Sequence, residues 1–272
     1  MYISNSSFKN FVGVNGFLIF LGALQYQYIQ RFTNNHNVTD FLYVYIAFIL
    51  RNYLLLLFIH IGTQNKPTIS NNPVNVPIES YKYEFHYYVM STTAVETVTH
   101  VLIKPTILVS SYSLPVEIIR FIPISFCFEV VFDFFHYWSH RFIHSKQLYK
   151  YIHKTHHKFD HPTAIIAFYQ DPIDLVVTNS IPTVLTLSII PRISYLQFML
   201  IVTYKIFIEI SGHIGKKMHP TSCFSQCIWL PRMLGIELYT EDHDLHHSAN
   251  TCNYAKRFSL YDKLFGTYKS SH

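Results

Sequence analysis

The sequence predicts an all-α fold in which multi-pass membrane helices carry a histidine-rich helical domain that faces the cytoplasm. Three observations predict it. Charged residues make up 14% of the 272-residue chain and apolar residues 50%, against about a quarter charged in an average soluble chain. Several apolar runs approach the about 20 residues that a helix needs to cross a bilayer. The 17 histidines outnumber the 16 acidic residues, and twelve of them fall between His136 and His247. This balance excludes disorder, which needs low hydrophobicity and high charge. The net charge of +5 comes without a Lys/Arg run, so no nucleic-acid partner is expected. Cys127, Cys223, Cys227 and Cys252 are too few for a disulfide scaffold in a chain this long and fit a reducing compartment. The N-terminus has no small-residue cleavage site, so its first apolar run reads as a retained anchor.

The elements follow in order. Residues 11–30 form a first apolar run, closed by Arg31 and a polar turn at 33–37. Residues 41–61 form a second, with Arg51 and Asn52 at its centre. An Arg there costs about 2.5–3.5 kcal/mol on insertion scales. Either Arg51 faces a protein interior, or the segment is two half-helices. Residues 62–80 are a polar linker, and residues 87–114 a third apolar stretch interrupted by Glu96, His100 and Lys104. Pro115 suits a helix first turn and opens a fourth helix to about Phe135. Residues 172–190 and 193–210 form a helical hairpin around Pro191 and Arg192. The expected division is an N-terminal part, 1–114, of membrane helices and polar loop, and a second domain, 115–272. An even number of crossings puts both His-rich blocks on one side. Arg141, Lys146, Lys150, Lys154 and Lys158 in one block, with Lys216, Lys217, Arg232, Lys256, Arg257 and Lys263 in the other, mark that side as cytoplasmic. The competing reading is a soluble enzyme whose apolar runs are buried helices.

Three histidine motifs carry the chemistry. His140 and His144 lie one turn apart, with His136 one turn earlier; His153, His156 and His157 form the second motif, and His243, His246 and His247 the third. Residues three and four apart share a helix face, so each motif presents two or three imidazoles in one direction. One zinc ion takes about four ligands. Eight histidines exceed that, and a dinuclear, nearly all-histidine site is the economical reading; the alternative is a histidine face acting as a pH switch. His213, four residues after Glu209, is an added candidate ligand. His36, His60, His86, His100 and His272 need no special role. Candidate carboxylates to orient the ligands are Asp133, Asp160, Glu241, Asp242, Asp244 and Asp262. A structural zinc site of His213, His219, Cys223 and Cys227 is a weaker option.

These motifs resemble the fatty acid hydroxylase/sterol desaturase superfamily of membrane di-iron enzymes. The family's boxes read His-x-x-x-His, His-x-x-His-His and His-x-x-His-His, in that order, and the chain meets all eight positions. The resemblance covers roughly residues 128–268. Tyr149-Lys150-Tyr151-Ile152-His153-Lys154 leads into the second box as in C4-methylsterol oxidases, the group it resembles most. Asn253-Tyr254 and Asp262-Lys263-Leu264-Phe265-Gly266-Thr267 are similar to the segments that follow the third box. His213-Ile214-Gly215 resembles a family His-Ser-Gly. Methylsterol oxidases usually continue from the second box with Tyr-Ala-His-Pro-x-Glu; this chain has Tyr169-Gln170-Asp171-Pro172-Ile173-Asp174. That departure, and Lys216 where an aromatic is common, fall where a substrate pocket is expected.

The resemblance implies two iron ions held by His140, His144, His153, His156, His157, His213, His243, His246 and His247, with no catalytic side chain beyond the ligands. It further implies O2 as oxidant, electrons from NAD(P)H through cytochrome b5 or a similar carrier, a lipid or sterol substrate entering from the membrane, and residence in the endoplasmic reticulum. Oxidation of a C4-methylsterol methyl group is the first reading. Sterol C5-desaturation or another lipid hydroxylation is the alternative within the class, and a non-catalytic zinc-binding membrane protein the alternative outside it.

Overall fold

A computed structural model of the chain describes residues 5–33, 38–70, 78–107, 112–190, 192–218 and 223–271. His36, His219, His272 and Pro191 lie outside the described residues. Among the described residues the secondary structure is helical, apart from one isolated antiparallel bridge between Thr68 and Lys216. The long helices are α1 (Asn5–Phe32), α2 (Val38–Thr63), α3 (Ile78–Ile103), α4 (Leu114–Ile143) and α8 (Tyr195–Gly212). Between α4 and α8 come α5 (Tyr149–Ile152), α6 (Pro172–Leu175), a π-turn (Val176–Ser180) and α7 (Ile181–Ile189). After α8 come the short α9 (Leu230–Met233), α10 (Thr240–Ala249) and α11 (Leu260–Leu264).

Among the described residues, four segments have the length and apolarity to cross a membrane: Phe8–Phe32, Thr39–Thr63, Pro172–Ile189 and Tyr195–Gly212. Their outer faces carry large apolar side chains, with Phe20 65% and Leu57 55% exposed. Contiguous exposed apolar surface on this scale needs an apolar solvent, and the chain is an integral membrane protein. The inner faces make one core. Leu18 of α1, Leu55 of α2, Val89 of α3, Phe128 of α4 and Ile201 of α8 belong to it, so the N-terminal helices and the second half pack as one body. Gly22 permits close approach of α1 to α8: a Cβ there would lie 2.8 Å from Leu200 Cδ2.

Arg51 resolves its two readings in favour of the interior. α2 is continuous, and Arg51 is fully buried. Its Nη2 lies 2.5 Å from Glu96 Oε2 on α3, its Nε donates to Asn52 Oδ1 at 3.1 Å, and Asn52 Nδ2 donates to Thr93 Oγ1 at 2.9 Å. The charge is paired rather than exposed to lipid, as an intramembrane ion must be.

Two boundaries differ from expectation. α4 runs past Phe135 to Ile143, because no breaker occurs in the first histidine motif; that motif is the last two turns of the helix. The second motif is not helical throughout. α5 ends at Ile152, His153 caps it, and His156–Lys158 form a separate 3-10 turn with His157 at ψ 18°. The Phe159-Asp160-His161-Pro162 stretch that follows cannot continue a helix into proline. Gly215 holds this turn close to the post-α8 loop: it has φ +62°, and a Cβ would lie 2.5 Å from the Pro162 carbonyl oxygen.

Candidate metal centre

The ends of α4 and α8, the turn after α5 and the whole of α10 converge on one buried cluster of imidazoles. The ring nitrogens fall into two groups, within each of which they lie no more than 4.8 Å apart. One group is His140, His144, His153, His157 and His246; the other is His156, His213, His243 and His247. All nine candidate ligands, His213 included, are therefore brought together. The motifs do not each face one way, however. The 3-10 turn sends His156 to the opposite group from His153 and His157. On α10, His243 and His247 are one turn apart and share a group, while His246 lies about 100° round the helix and joins the other.

The hydrogen bonds fix which nitrogen is available. His140 Nδ1 donates to the Tyr254 carbonyl, His246 Nδ1 to the Cys252 carbonyl, His213 Nδ1 to the Glu209 carbonyl and His153 Nδ1 to Asp174 Oδ2, each at 2.7 Å. Carbonyl and carboxylate oxygens only accept, so each Nδ1 carries the proton and each Nε2 presents a lone pair. Those nitrogens lie against the ring nitrogens of neighbouring histidines. The Nε2 atoms of His140 and His153 are 3.0 Å apart, of His153 and His157 3.1 Å, and of His140 and His144 3.3 Å. In the second group His213 Nε2 is 3.2 Å from that of His156 and 3.0 Å from that of His243. His246 Nε2 and both nitrogens of His247 are buried without a partner. Facing lone pairs repel unless a cation lies between them. Two nitrogens about 2.0–2.1 Å from one ion, at about 90–110°, stand about 2.9–3.4 Å apart. The donor set and its spacing thus fit one metal ion per group.

Burial keeps these rings neutral. It holds His153, His156, His243, His246 and His247 well below the usual histidine range, reinforced by neighbouring imidazoles, and lowers His157 to about 4. Neutral imidazole is the ligating form. The second group also contains a cation. Lys256 Nζ lies 3.0 Å from His243 Nε2 and 2.9 Å from Glu209 Oε1; burial lowers the lysine despite that carboxylate.

The expected orienting carboxylates are a correction. Asp133 accepts from the backbone N–H groups of Lys256, Arg257 and Phe258, and Asp262 from those of Tyr254 and Ala255. They hold in place the loop whose Tyr254 carbonyl orients His140. Asp242 caps α10 at Tyr239, and Asp244 pairs with His161 at 2.9 Å. Neither Asp160 nor Glu241 bonds a motif histidine. The carboxylate that does is Asp174, fully buried. Its signal was the acidic end of the Pro-x-Glu stretch that Pro172-Ile173-Asp174 matches.

His136 belongs to neither group. Its Nδ1 donates to the Thr178 carbonyl at 2.7 Å and its Nε2 has no partner. Thr178 is free to accept because Pro182, four residues later, has no N–H to give it, and the π-turn forms there. Among the described residues the alternative zinc site does not assemble: His213 is in the centre, while Cys223 and Cys227 pack against the Phe224 cluster, and His219 lies outside the described residues.

A small polar cavity touches His136, His140, His153, His156 and His243. A second, more apolar cavity lies beside it among α2, α3, α8 and residues 167–183, and its walls include Phe48, Phe168 and Phe198.

Comparison with known proteins adds the following. The sequence model described as "Fatty acid hydroxylase" matches residues 125–267. The chain is 29% identical to a fatty acid hydroxylase of Lecanicillium sp over 52% of its length and 40% of that protein. It is 33% identical to methylsterol monooxygenase 1 of Rattus norvegicus, over 51% of its length and 44% of that protein. It is 32% identical to a delta(7)-sterol 5(6)-desaturase of Gibberella zeae, over 50% of its length and 35% of that protein. The matches thus span less than half the length of these relatives. No solved structure matches the chain.

Proposed function

The chain belongs to the fatty acid hydroxylase family, and from that premise we propose that it is an oxidoreductase that uses two iron ions and O2 to oxidise a membrane lipid. One ion is held by His140, His144, His153, His157 and His246, the other by His156, His213, His243 and His247. The observation that carries this reading is the pair of nitrogen groups with lone pairs 3.0–3.3 Å apart, set beside an apolar cavity within membrane helices. Imidazole sites accept Zn, Cu, Fe or Ni; the oxidase and desaturase names of the relatives favour a redox metal.

When bound, the two irons would pass the donor's electrons to O2 and so provide the strong oxidant that an unactivated C–H bond requires. The chain's own residues do the rest. The Tyr254, Cys252 and Glu209 carbonyls and Asp174 lock the tautomers, so that Nε2 faces the metal. The surrounding helices exclude water, and the adjacent cavity admits an apolar body from the bilayer side. No side chain is needed as a nucleophile. The substrate read first is a C4-methylsterol, oxidised at a 4-methyl group; the methylsterol monooxygenase relative favours it. The sterol desaturase relative favours C5-desaturation as the second reading. Electrons arrive from NAD(P)H through cytochrome b5, the site faces the cytoplasm, and the membrane is that of the endoplasmic reticulum. Basic residues beside the centre, such as Lys150 and Lys154, suit an acidic carrier.

The test is expression in a host that lacks its own C4-methylsterol oxidase, with lipid profiling. Disappearance of the accumulated 4-methylsterols supports the first reading. Unchanged 4-methylsterols with new hydroxylated or desaturated lipids move the assignment to the second. A purified protein with stoichiometric zinc that consumes no O2 after iron reconstitution defeats the enzyme reading.

A further inference from the structure

The two cavities share three residues, Gln170, Asn179 and Glu209. They form the throat between the apolar cavity and the histidine centre. Glu209 is committed: its Oε1 meets Lys256 at 2.9 Å, and its Oε2 lies 3.8 Å from Arg257 Nη2. The cations nearby are committed too. Lys205 Nζ donates to Thr183 Oγ1 at 2.9 Å with Glu129 and Glu209 in electrostatic reach, and Lys256 is held by Glu209. The two carboxamides are not. Gln170 is 7% exposed, and its Nε2 reaches only the Ala167 carbonyl, at 3.4 Å, beyond the usual range for such a bond. Among the described residues the Asn179 side chain has no hydrogen-bond partner; only its backbone carbonyl is used, by Thr183. Asn179 is aimed here by the π-turn that Pro182 induces, and such turns are concentrated at functional sites.

We infer that Gln170 and Asn179 form a recognition site for an uncharged hydroxyl on the substrate, close to the carbon that is oxidised. The inference rests on the lipid-oxidation reading above and names its substrate class as a lipid alcohol. A carboxamide offers both donor and acceptor and no charge, as a hydroxyl requires. A carboxylate or phosphate headgroup needs a cation; of the two nearby, Lys256 is paired with Glu209, and Lys205 lies in the wall of the apolar cavity but not of the polar one that holds both carboxamides. Because both carboxamides also line the cavity that touches His140 and His153, a hydroxyl bound here leaves only its neighbouring carbons at the centre. A 3-hydroxysterol with a methyl group on the adjacent ring carbon has that arrangement. Gln170 also stands where the methylsterol-oxidase stretch has Ala, so this chain has added a carboxamide at that point.

The test is equilibrium binding to the full, metal-loaded chain in detergent, with three probes: a 4-methylsterol, its 3-deoxy counterpart and a long-chain fatty acid. A buried donor or acceptor left unpaired weakens binding by about 10–100-fold. The sterol is therefore expected to bind about that much more tightly than the 3-deoxy compound, and the fatty acid more weakly than the sterol. In the double variant Gln170→Ala, Asn179→Ala the preference for the hydroxyl should vanish with metal content unchanged. Equal affinity for the sterol and its deoxy counterpart, absence of sterol binding, or a preference for the fatty acid would overturn the inference. If the double variant loses its metal, the probe comparison on the unaltered protein decides alone. Selective binding of the alcohol without oxidation under O2 and reductant would defeat the proposed reaction and leave the site standing.

Discussion

Two polar clusters lie buried in this mostly apolar protein, and they treat their hydrogen-bonding groups differently. In the bundle, Arg51, Asn52, Glu96 and Thr93 turn toward one another across α2 and α3, donor against acceptor. At the end of the bundle, nine imidazoles turn ring nitrogens toward one another, and on His140, His153, His213 and His246 a carbonyl or Asp174 fixes the proton on the far side of the ring. The first arrangement pairs its charges and can be read as structure, although Arg51 Nη1 and Glu96 Oε1 are left without a hydrogen-bond partner. The second gathers acceptors without matching donors, the arrangement that suits a cation between the rings. Burial alone does not mark a functional site; the convergence of like groups, here nine imidazoles, does.

Four experiments break or sharpen this contrast, the largest effect first. His157→Ala and His246→Ala should each abolish lipid oxidation and lower the iron content, with membrane insertion unchanged in fractionation; retained turnover in both would remove them as ligands. Arg51→Leu leaves Glu96 buried without its cation and should cost about 3–5 kcal/mol in detergent denaturation. The double change Arg51→Leu, Glu96→Leu should recover most of that loss, since a buried pair replaced by apolar groups is often neutral. The same double change should leave the iron content intact. Acid is next. His157 is lowered to about 4 by burial, so between about 6.5 and 4 the unfolded chain binds the proton and the folded chain does not. The metal-free protein should therefore lose stability as pH falls through that window, by about 2 kcal/mol at pH 5 for this ring alone. A midpoint that does not move between pH 7 and pH 5 would show that the folded chain takes up as many protons as the unfolded one, and so that burial does not lower this ring. Asp174→Ala removes the only carboxylate that orients a motif histidine among the described residues. It should weaken metal binding by about 10–100-fold, while Asp174→Asn, which keeps an acceptor, should lose less.

The same contrast explains how much the sequence revealed. The long helices were legible because apolar composition is local: α1, α2, α8 and the Pro172–Ile189 segment all lie where the apolar runs do. The nine histidines were legible because their spacing repeats and because the surrounding segments resemble a known family. Their division into two groups was not. It depends on a 3-10 turn that separates His156 from His153 and His157, and on α10 lying between the two groups with rings directed to both. The orienting partners were missed for a similar reason. Backbone carbonyls of Tyr254, Cys252 and Glu209 leave no mark in a sequence, and Asp133 and Asp262, which look like partners by proximity, hold the backbone of the 254–258 loop instead. His136 shows a signal that local reading overlooked: Pro182 four residues after Thr178 leaves a carbonyl free to receive it.

The central claim is that each of the two histidine groups holds one iron. Anaerobic purification of the full chain, followed by iron analysis and X-ray absorption at the iron edge, tests it most directly. The account predicts one iron per group, with nitrogen and oxygen scatterers only and no sulfur. A single metal per chain, or a sulfur ligand from Cys223, Cys227 or Cys252, would contradict it.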